Sequence, residues 1–309
     1  LDNFEKNGFS EAQLTKIKAE QETSFFYEIE SVLDKAQKLG QYNEFAGSPE
    51  FIKQDIKNIT SVTVEDVKRV FKKYIKNKPS IITSFVPKDQ KELVVSGSVK
   101  ANVVEEVIEQ GKEQQFVEND AIKFEKTPTK FDRSEPALTE LPTLTTPDVW
   151  QTTQSNGLTV YGIEQNELPI VNFNLVIEGG QQLDLGNKLG TASLMAQLMN
   201  EGTQNKTPQE LEEAIGLLGA SLRVSSSLES VVISGSSLAK NFDETIALLS
   251  EVLMSPRWQK SEFDRLKSTR LTRINQGKGD ASTIARNAFY KTLYTESHVA
   301  GSPVGGTEK

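Results

Sequence analysis

A chain of 309 residues that is 36% hydrophobic and 25% charged has an ordinary globular composition and exceeds one average domain of roughly 100 to 200 residues, so two folded units are expected. Its formal net charge of −8 and pI near 5.1 oppose binding to a phosphate backbone, and no Lys/Arg block interleaved with aromatics offers a grip on nucleic acid. The absence of Cys excludes disulfides, thiolate metal sites and cysteine nucleophiles, and no apolar run reaches the roughly 18 to 20 residues that span a bilayer.

No basic-then-apolar segment follows Leu1, so any targeting signal is expected outside the chain. Leu1-Asp2-Asn3-Phe4 and Gly305-Gly306-Thr307-Glu308-Lys309 read as mid-domain text, and the chain is expected to be a piece of a longer protein.

Along the chain, Ser10-x-x-Gln13 is a capping pattern that leads into Leu14, Ile17, Phe25, Ile29, Val32, Leu33, Ala36 and Leu39 before Gly40. That spacing predicts one long amphipathic helix. After an irregular piece at Gly47-Ser48-Pro49, Thr63-x-x-Asp66 caps a second helix with Val67, Val70, Phe71 and Tyr74 on one face, stopped by Pro79. Ser80 to Val86 is rich in β-branched and aromatic residues, is closed by Pro87, and reads as a strand. Residues 1–95 therefore form one unit, ordered helix, helix, strand.

From 96 to 147 the text changes to an acidic run, Val103 to Gln115, and then to Pro128, Pro136, Pro142 and Pro147 within twenty residues. An acidic, Pro-rich interdomain linker is expected, a spacer rather than a Pro-motif ligand.

A second unit, 148–309, opens with a hairpin signal at Ser155-Asn156-Gly157. In Ile170 to Ile177, Val171, Phe173, Leu175 and Ile177 alternate with Asn172 and Asn174, as a half-buried antiparallel strand requires. Helices are expected at Thr191 to Asn200 and after Thr207-Pro208-Gln209-Glu210, where an N-cap Thr, an N1 Pro and an N3 Glu precede Leu211, Ala214, Ile215 and Leu218. Strands at Ala220 to Ser225 and Ser230 to Ser236 and helices at Phe242 to Met254, Ser261 to Gln276 and Ala281 to Leu293 complete an α+β class, antiparallel sheets layered with helices.

The stretch Gly190-Thr191-Ala192-Ser193-Leu194-Met195-Ala196-Gln197-Leu198-Met199-Asn200-Glu201-Gly202-Thr203 resembles the signature helix of insulinase/pitrilysin zinc peptidases, G-[TL]-A-H-x-x-E-H-x-x-x-x-G-T, in frame and length. In the active pattern two His four residues apart bind zinc and the adjacent Glu is the general base. Here those places hold Ser193, Ala196 and Gln197: two poor zinc ligands and a side chain that takes no proton. The third family ligand, a Glu roughly seventy to eighty residues on, would fall in Ser268 to Gln276, which has no carboxylate.

Thr207-Pro208 through Gly219-Ala220-Ser221-Leu222, Phe289 to Thr307, and Gly8-Phe9-Ser10, Val62 to Val67 and Phe85-Val86-Pro87 resemble further family segments in the same order. The resemblance implies repeated metallopeptidase-like domains in two clamshell halves closing on an extended peptide, incomplete at both ends here. The chain would be the end of the first half, a bridge, and the first domain of a degenerate second half.

No catalytic or metal residue is then expected in this chain. Zinc would lie in an upstream domain, and the Arg and Tyr that hold substrate in the family would lie beyond Lys309. The expected partners are a peptide or unfolded polypeptide and the rest of the chain or a partner half. A periplasmic or envelope setting is what some bacterial relatives suggest.

Other residues invite plainer readings. His298, the only histidine, suits a loop cap, because one His makes no metal site. Arg265, Arg270 and Arg273 crowd one helix and can hold a peptide carboxylate, although interspersed charge on a helix usually marks a solvated face. Gly179-Gly180 marks a tight turn, and Met195 and Met199 fill core. Ser193 has no spare His to activate it as a nucleophile.

Three functions follow from the resemblance. The chain shapes the chamber of a peptidase whose zinc lies upstream; or the parent is a non-catalytic assembly or peptide-binding protein, like the inactive members that serve as core subunits of respiratory complexes; or it is the inactive partner subunit of a separate peptidase. An H-x-x-E-H helix upstream of Leu1 would favour the first.

Overall fold

The computed structural model describes residues 1–99, 128–130, 132, 134, 137, 143, 145–184, 188–295 and 297–308. The chain divides into two compact units, one made of residues 1–78 and 165–309 and the other of residues 79–164. Most of the expected linker, with its acidic run from 103 to 115, lies outside the described residues.

The first unit begins with helices α1 (Asp2–Asn7), α2 (Glu11–Tyr27), α3 (Val32–Gln41), α4 (Phe51–Ser61) and α5 (Val64–Tyr74). Two reciprocal capping boxes, Ser10 with Gln13 and Thr63 with Asp66, start α2 and α5 at the residues their sequence patterns indicate. The single long helix expected from Ser10 to Leu39 is instead two. Ser31 takes an extended backbone, its Oγ accepts from the Asp34 amide at 3.0 Å, and it starts α3 anew. Hydrophobic spacing continues across that break, so periodicity alone does not reveal it, yet only α2 buries residues, Leu14 and Phe25, while Val32 and Leu33 of α3 are exposed. A π-helical turn, Tyr42–Ala46, ends at left-handed Gly47, Gly47-Ser48-Pro49 is irregular as expected, and α4 follows it as a helix that the sequence reading does not contain.

Helix α5 stops at Tyr74, before Pro79. The amides of Ile75 and Lys76 both donate to the Phe71 carbonyl, and Asn77 is left-handed.

The second unit holds the hairpin β1 (Val149–Thr153) and β2 (Thr159–Ile163), paired antiparallel with Trp150 opposite Gly162. A Cβ on Gly162 would lie 2.1 Å from the Trp150 ring, so the indole lies over that glycine. Gly157 supplies the left-handed turn residue at φ 88°. Residues 80–86 form no strand, a correction to the sequence expectation. Ile81 and Phe85 are 95% and 104% exposed and no ladder forms there among the described residues, because β-branched composition makes a strand only where a partner exists.

The rest of the first unit runs β3 (Ile170–Glu178), α6 (Thr191–Met199), α7 (Pro208–Leu217), β4 (Ser221–Ser226), β5 (Ser230–Leu238), α8 (Phe242–Met254), α9 (Lys260–Gly277) and α10 (Ala281–Tyr294), close to the sequence reading throughout. The sheet is antiparallel in the order β3-β5-β4, and the register sets Leu175, Ile233 and Val224 side by side. On one face these residues meet Ala196 and Met199 of α6, Leu211 of α7 and Leu248, Leu249 and Val252 of α8. Ile233 is fully buried; each such aliphatic side chain contributes roughly 1.5–3 kcal/mol. Met199 is core, as expected. Met195 is 37% exposed and is not. Together these elements make the α+β layering of helices on an antiparallel sheet.

Helix α2 docks on the end of α7 at close range. Thr23 Oγ1 donates to the Gly219 carbonyl at 2.9 Å, Tyr27 donates to Asn172 Oδ1 at 2.8 Å, and Lys240 pairs with Glu22 at 2.7 Å. Gly219 sits at φ +57°, and a Cβ on it would lie 2.5 Å from the Ala19 carbonyl oxygen. We expect Gly219→Ala to cost about 1–3 kcal/mol in urea unfolding, from positive-φ strain plus the backbone clash; a cost near zero would mean that α2 does not pack there in solution.

The loop between α6 and α7 is clamped by Glu251 of α8. Its carboxylate accepts from Lys206 Nζ and from fully buried Thr203 Oγ1, each at 2.6 Å. The hydrogen bond from Lys206, then that from Thr203, holds the Glu251 carboxyl below the usual range. A carboxyl lowered on folding contributes stability above its unfolded pKa of about 4.3 and loses it as pH falls through the folded value. Thermal stability should therefore drop below about pH 4.5, and Glu251→Gln should flatten that acid limb while costing about 1–2 kcal/mol at neutral pH.

Candidate functional site

Helix α6 carries the signature-like stretch, and two devices fix its ends. Gly190 opens it in the left-handed region, and the Asp184 carboxylate accepts from the Gly190 and Ala192 amides at 2.6 and 2.9 Å, a cap that also suits the positive end of the helix. At the other end, Asn200 Nδ2 donates to the Ala196 and Val224 carbonyls while its Oδ1 accepts from the Val224 amide at 2.9 Å, tying α6 to β4.

Between these ends the helix shows two faces. Ala196, at the base position, is 1% exposed and packs in the sheet-facing core, where an ionised carboxylate would be costly. Ser193 faces α9, and Arg270 Nη2 donates to its Oγ at 2.9 Å while Nη1 reaches the Gly305 carbonyl at 3.4 Å. Just past the end of α6, Arg265 bridges Glu201 and Glu262 of its own helix, each at 2.7 Å.

The structure thus brings Ser193 together with a cation. The donor set Ser193, Ala196, Gln197 and Arg270 does not fit zinc: hydroxyl and amide are weak ligands, the alanine offers none, and a guanidinium beside Ser193 repels a second cation. Among the described residues no group of three or more His, Cys, Asp and Glu is placed to hold a metal ion.

Arg270 is also where the solvated-face reading of the three arginines needs correction. It is partly buried, and burial first, then the neighbouring charge of Arg273, pushes its pKa down. No ion pair forms to it among the described residues; its two bonds go to neutral oxygens. Arg265 and Arg273 are exposed, as expected.

His298 is a loop cap: its Nδ1 accepts from the Ala300 amide at 3.1 Å and its ring stacks on Tyr294. Gly179 and Gly180 both take positive φ, and a Cβ on Gly180 would lie 2.6 Å from the Ser227 carbonyl, so the turn requires glycine. It delivers Gln181, which is 1% exposed; its Nε2 donates to the Pro303 carbonyl at 3.0 Å, and its Oε1 is left without a donor. Sequence reasoning missed Asp184, Gln181 and the inward turn of Arg270. Only the aspartate left a trace, as an acidic residue just ahead of a helix start.

The fold is an α+β domain of helices on an antiparallel sheet, with Ser193, Ala196 and Gln197 on α6 where the resemblance would set the zinc pattern. Residues 160–307 match the insulinase family (peptidase family M16). The non-peptidase homolog YmxG of Helicobacter pylori is 27% identical over 165 residues, covering 50% of this chain and 38% of that protein. The human mitochondrial-processing peptidase subunit beta is 22% identical over 176 residues, covering 57% of this chain and 36% of its own.

A crystal structure of the peptidase M16 inactive domain from Pseudomonas fluorescens aligns at TM-score 0.50 and 24% identity over 52% of this chain and 39% of that one, a likeness of fold. In each case the match spans under two fifths of the relative's length.

A cation with only neutral partners adds little stability, since its desolvation offsets its hydrogen bonds. Arg270→Met should therefore hold the unfolding free energy within about 1 kcal/mol of wild type or raise it. A loss above about 2 kcal/mol would show that the guanidinium is a net structural link between α6 and α9.

Proposed function

We propose that this chain is a non-catalytic portion of a zinc-endopeptidase-type protein, shaping a chamber for peptide or unfolded polypeptide while zinc chemistry belongs to another domain or to a partner half. The observation that carries this reading is the Arg270 guanidinium bonded to Ser193 Oγ at 2.9 Å, where a first zinc ligand would otherwise stand. A position that selects a cation-bearing side chain is unsuited to a metal cation. The buried Ala196 adds the second reason: no base stands beside it to activate water.

The names of the relatives support the reading. One relative carries the name non-peptidase homolog, and others are named as subunits of a processing peptidase, which fits a fold that works beside a partner half. No helix among the described residues is long and apolar enough to cross a membrane.

The test uses the purified chain, equilibrated with zinc and desalted, in parallel elemental analysis, cleavage and anisotropy assays with a labelled unfolded polypeptide. Zinc below about a tenth of an equivalent, no cleavage and saturable binding of the polypeptide are expected. One tightly held zinc with chelator-sensitive cleavage would overturn the non-catalytic assignment, and absence of any polypeptide binding would overturn the chamber role.

A further inference from the structure

Helices α9 and α10 and the loop 299–308 enclose a cavity of about 1030 Å³, at the upper end of the roughly 300–1,000 Å³ typical of ligand sites. On α9, Arg270, Arg273, Ile274 and Gly277 line it, a helical i, i+3, i+4, i+7 face; on α10, Thr283, Asn287, Tyr290 and Tyr294 do the same, with Arg286 beside them. Pro303 and Val304 close one side.

The charge on this wall is unbalanced. Arg270, Arg273, Arg286 and Lys278 face the cavity, and among the described residues the single carboxylate there, Glu308, is already paired with Lys278 at 2.7 Å. Asp280, whose carboxyl senses Arg286, is engaged at the N-terminus of α10, accepting from the Thr283 amide at 2.7 Å. Three guanidiniums therefore share one concavity without a carboxylate partner among the described residues, and Arg270 and Arg273 repel each other there.

Such an arrangement is electrostatically unfavourable until an anion enters. Planar guanidinium forks match carboxylate geometry, so an incoming carboxylate would meet charge-assisted hydrogen bonds on arrival.

The rest of the wall decides what the anion is attached to. Tyr290 and Tyr294 stack with ring centroids 6.2 Å apart, both rings partly exposed, and the aliphatic surface of Ile274, Ile284 and Val304 flanks the arginines. A free inorganic anion would leave this surface wet. A peptide carrying a carboxylate beside a bulky apolar side chain would cover both parts.

We propose that the groove between α9 and α10 is an acidic-peptide site, in which Arg270, Arg273 and Arg286 hold a carboxylate and Tyr290, Tyr294 and Ile274 receive the neighbouring apolar side chain. This rests on the peptide-chamber reading and adds to it the class of sequence selected. Arg270 is the inner member, fixed by Ser193 and the Gly305 carbonyl; Arg273 and Arg286 are the exposed outer pair.

The experiment measures fluorescence anisotropy of the whole chain with three short labelled peptides that share apolar residues and differ only in having Glu, Gln or Lys beside them. Wild type should bind the Glu peptide at least about tenfold more tightly than the Gln peptide, with the preference shrinking as salt is raised. The charge-reversal variant Arg273→Glu with Arg286→Glu alters two exposed side chains; with unchanged circular dichroism and melting, it should abolish the preference.

Equal affinity for Glu and Gln peptides, or a preference surviving in that variant, overturns the acidic-peptide site and leaves the chamber reading standing. Displacement of the Glu peptide by inorganic phosphate at its own effective concentration also overturns it, in favour of a simple anion site. Failure of every peptide to bind overturns the chamber reading as well.

Discussion

Helix α6 has to satisfy two opposed surfaces at once, and much of the first unit is arranged around that constraint. Toward the sheet it presents Ala196 and Met199, small and flexible side chains that let the helix lie close to Val224 and Ile233. Toward α9 it presents Ser193, and Glu201 follows just past its C-cap; these take their partners from Arg270 and Arg265. Asp184 and Asn200 hold its two ends, so neither face can slide relative to the other. The packing of this nine-residue helix, which buries Ala192, Ala196, Leu198 and Met199, therefore depends on a polar frame at its termini.

The same frame includes a direct link between α6 and α9. In a zinc-binding version of this helix pair, the metal would be the cross-link between two helices far apart in sequence. Here the link is a guanidinium to a hydroxyl and a backbone carbonyl. That link is weaker and leaves a positive charge partly buried. The domain keeps its fold because the sheet-facing core, not the α6–α9 contact, carries most of the burial.

The exposed positive charge that remains then becomes available for another task. Arg270, Arg273 and Arg286 come from two helices, and the loop carrying Gly305 shapes the space between them. A chain with net charge −8 would be expected to meet cationic rather than acidic ligands. The local field in the groove has the opposite sign, because a cleft responds to the charges on its own walls more than to the total.

What was legible in the sequence was local. Capping boxes at Ser10, Thr63 and Thr207 placed three helix starts, alternation in Val171 to Leu175 placed a strand, and Asn156-Gly157 placed a hairpin. These depend on side chains within a few positions of one another, where spacing alone fixes geometry.

Tertiary structure decided the rest: that Ser31 interrupts an unbroken-looking helix, that residues 80–86 stay unpaired, that Met195 faces outward, and that Arg270 turns inward to a serine 77 positions away. Each of these depends on which surface arrives opposite, and opposite surfaces come from segments tens of residues distant, whose approach no local pattern encodes.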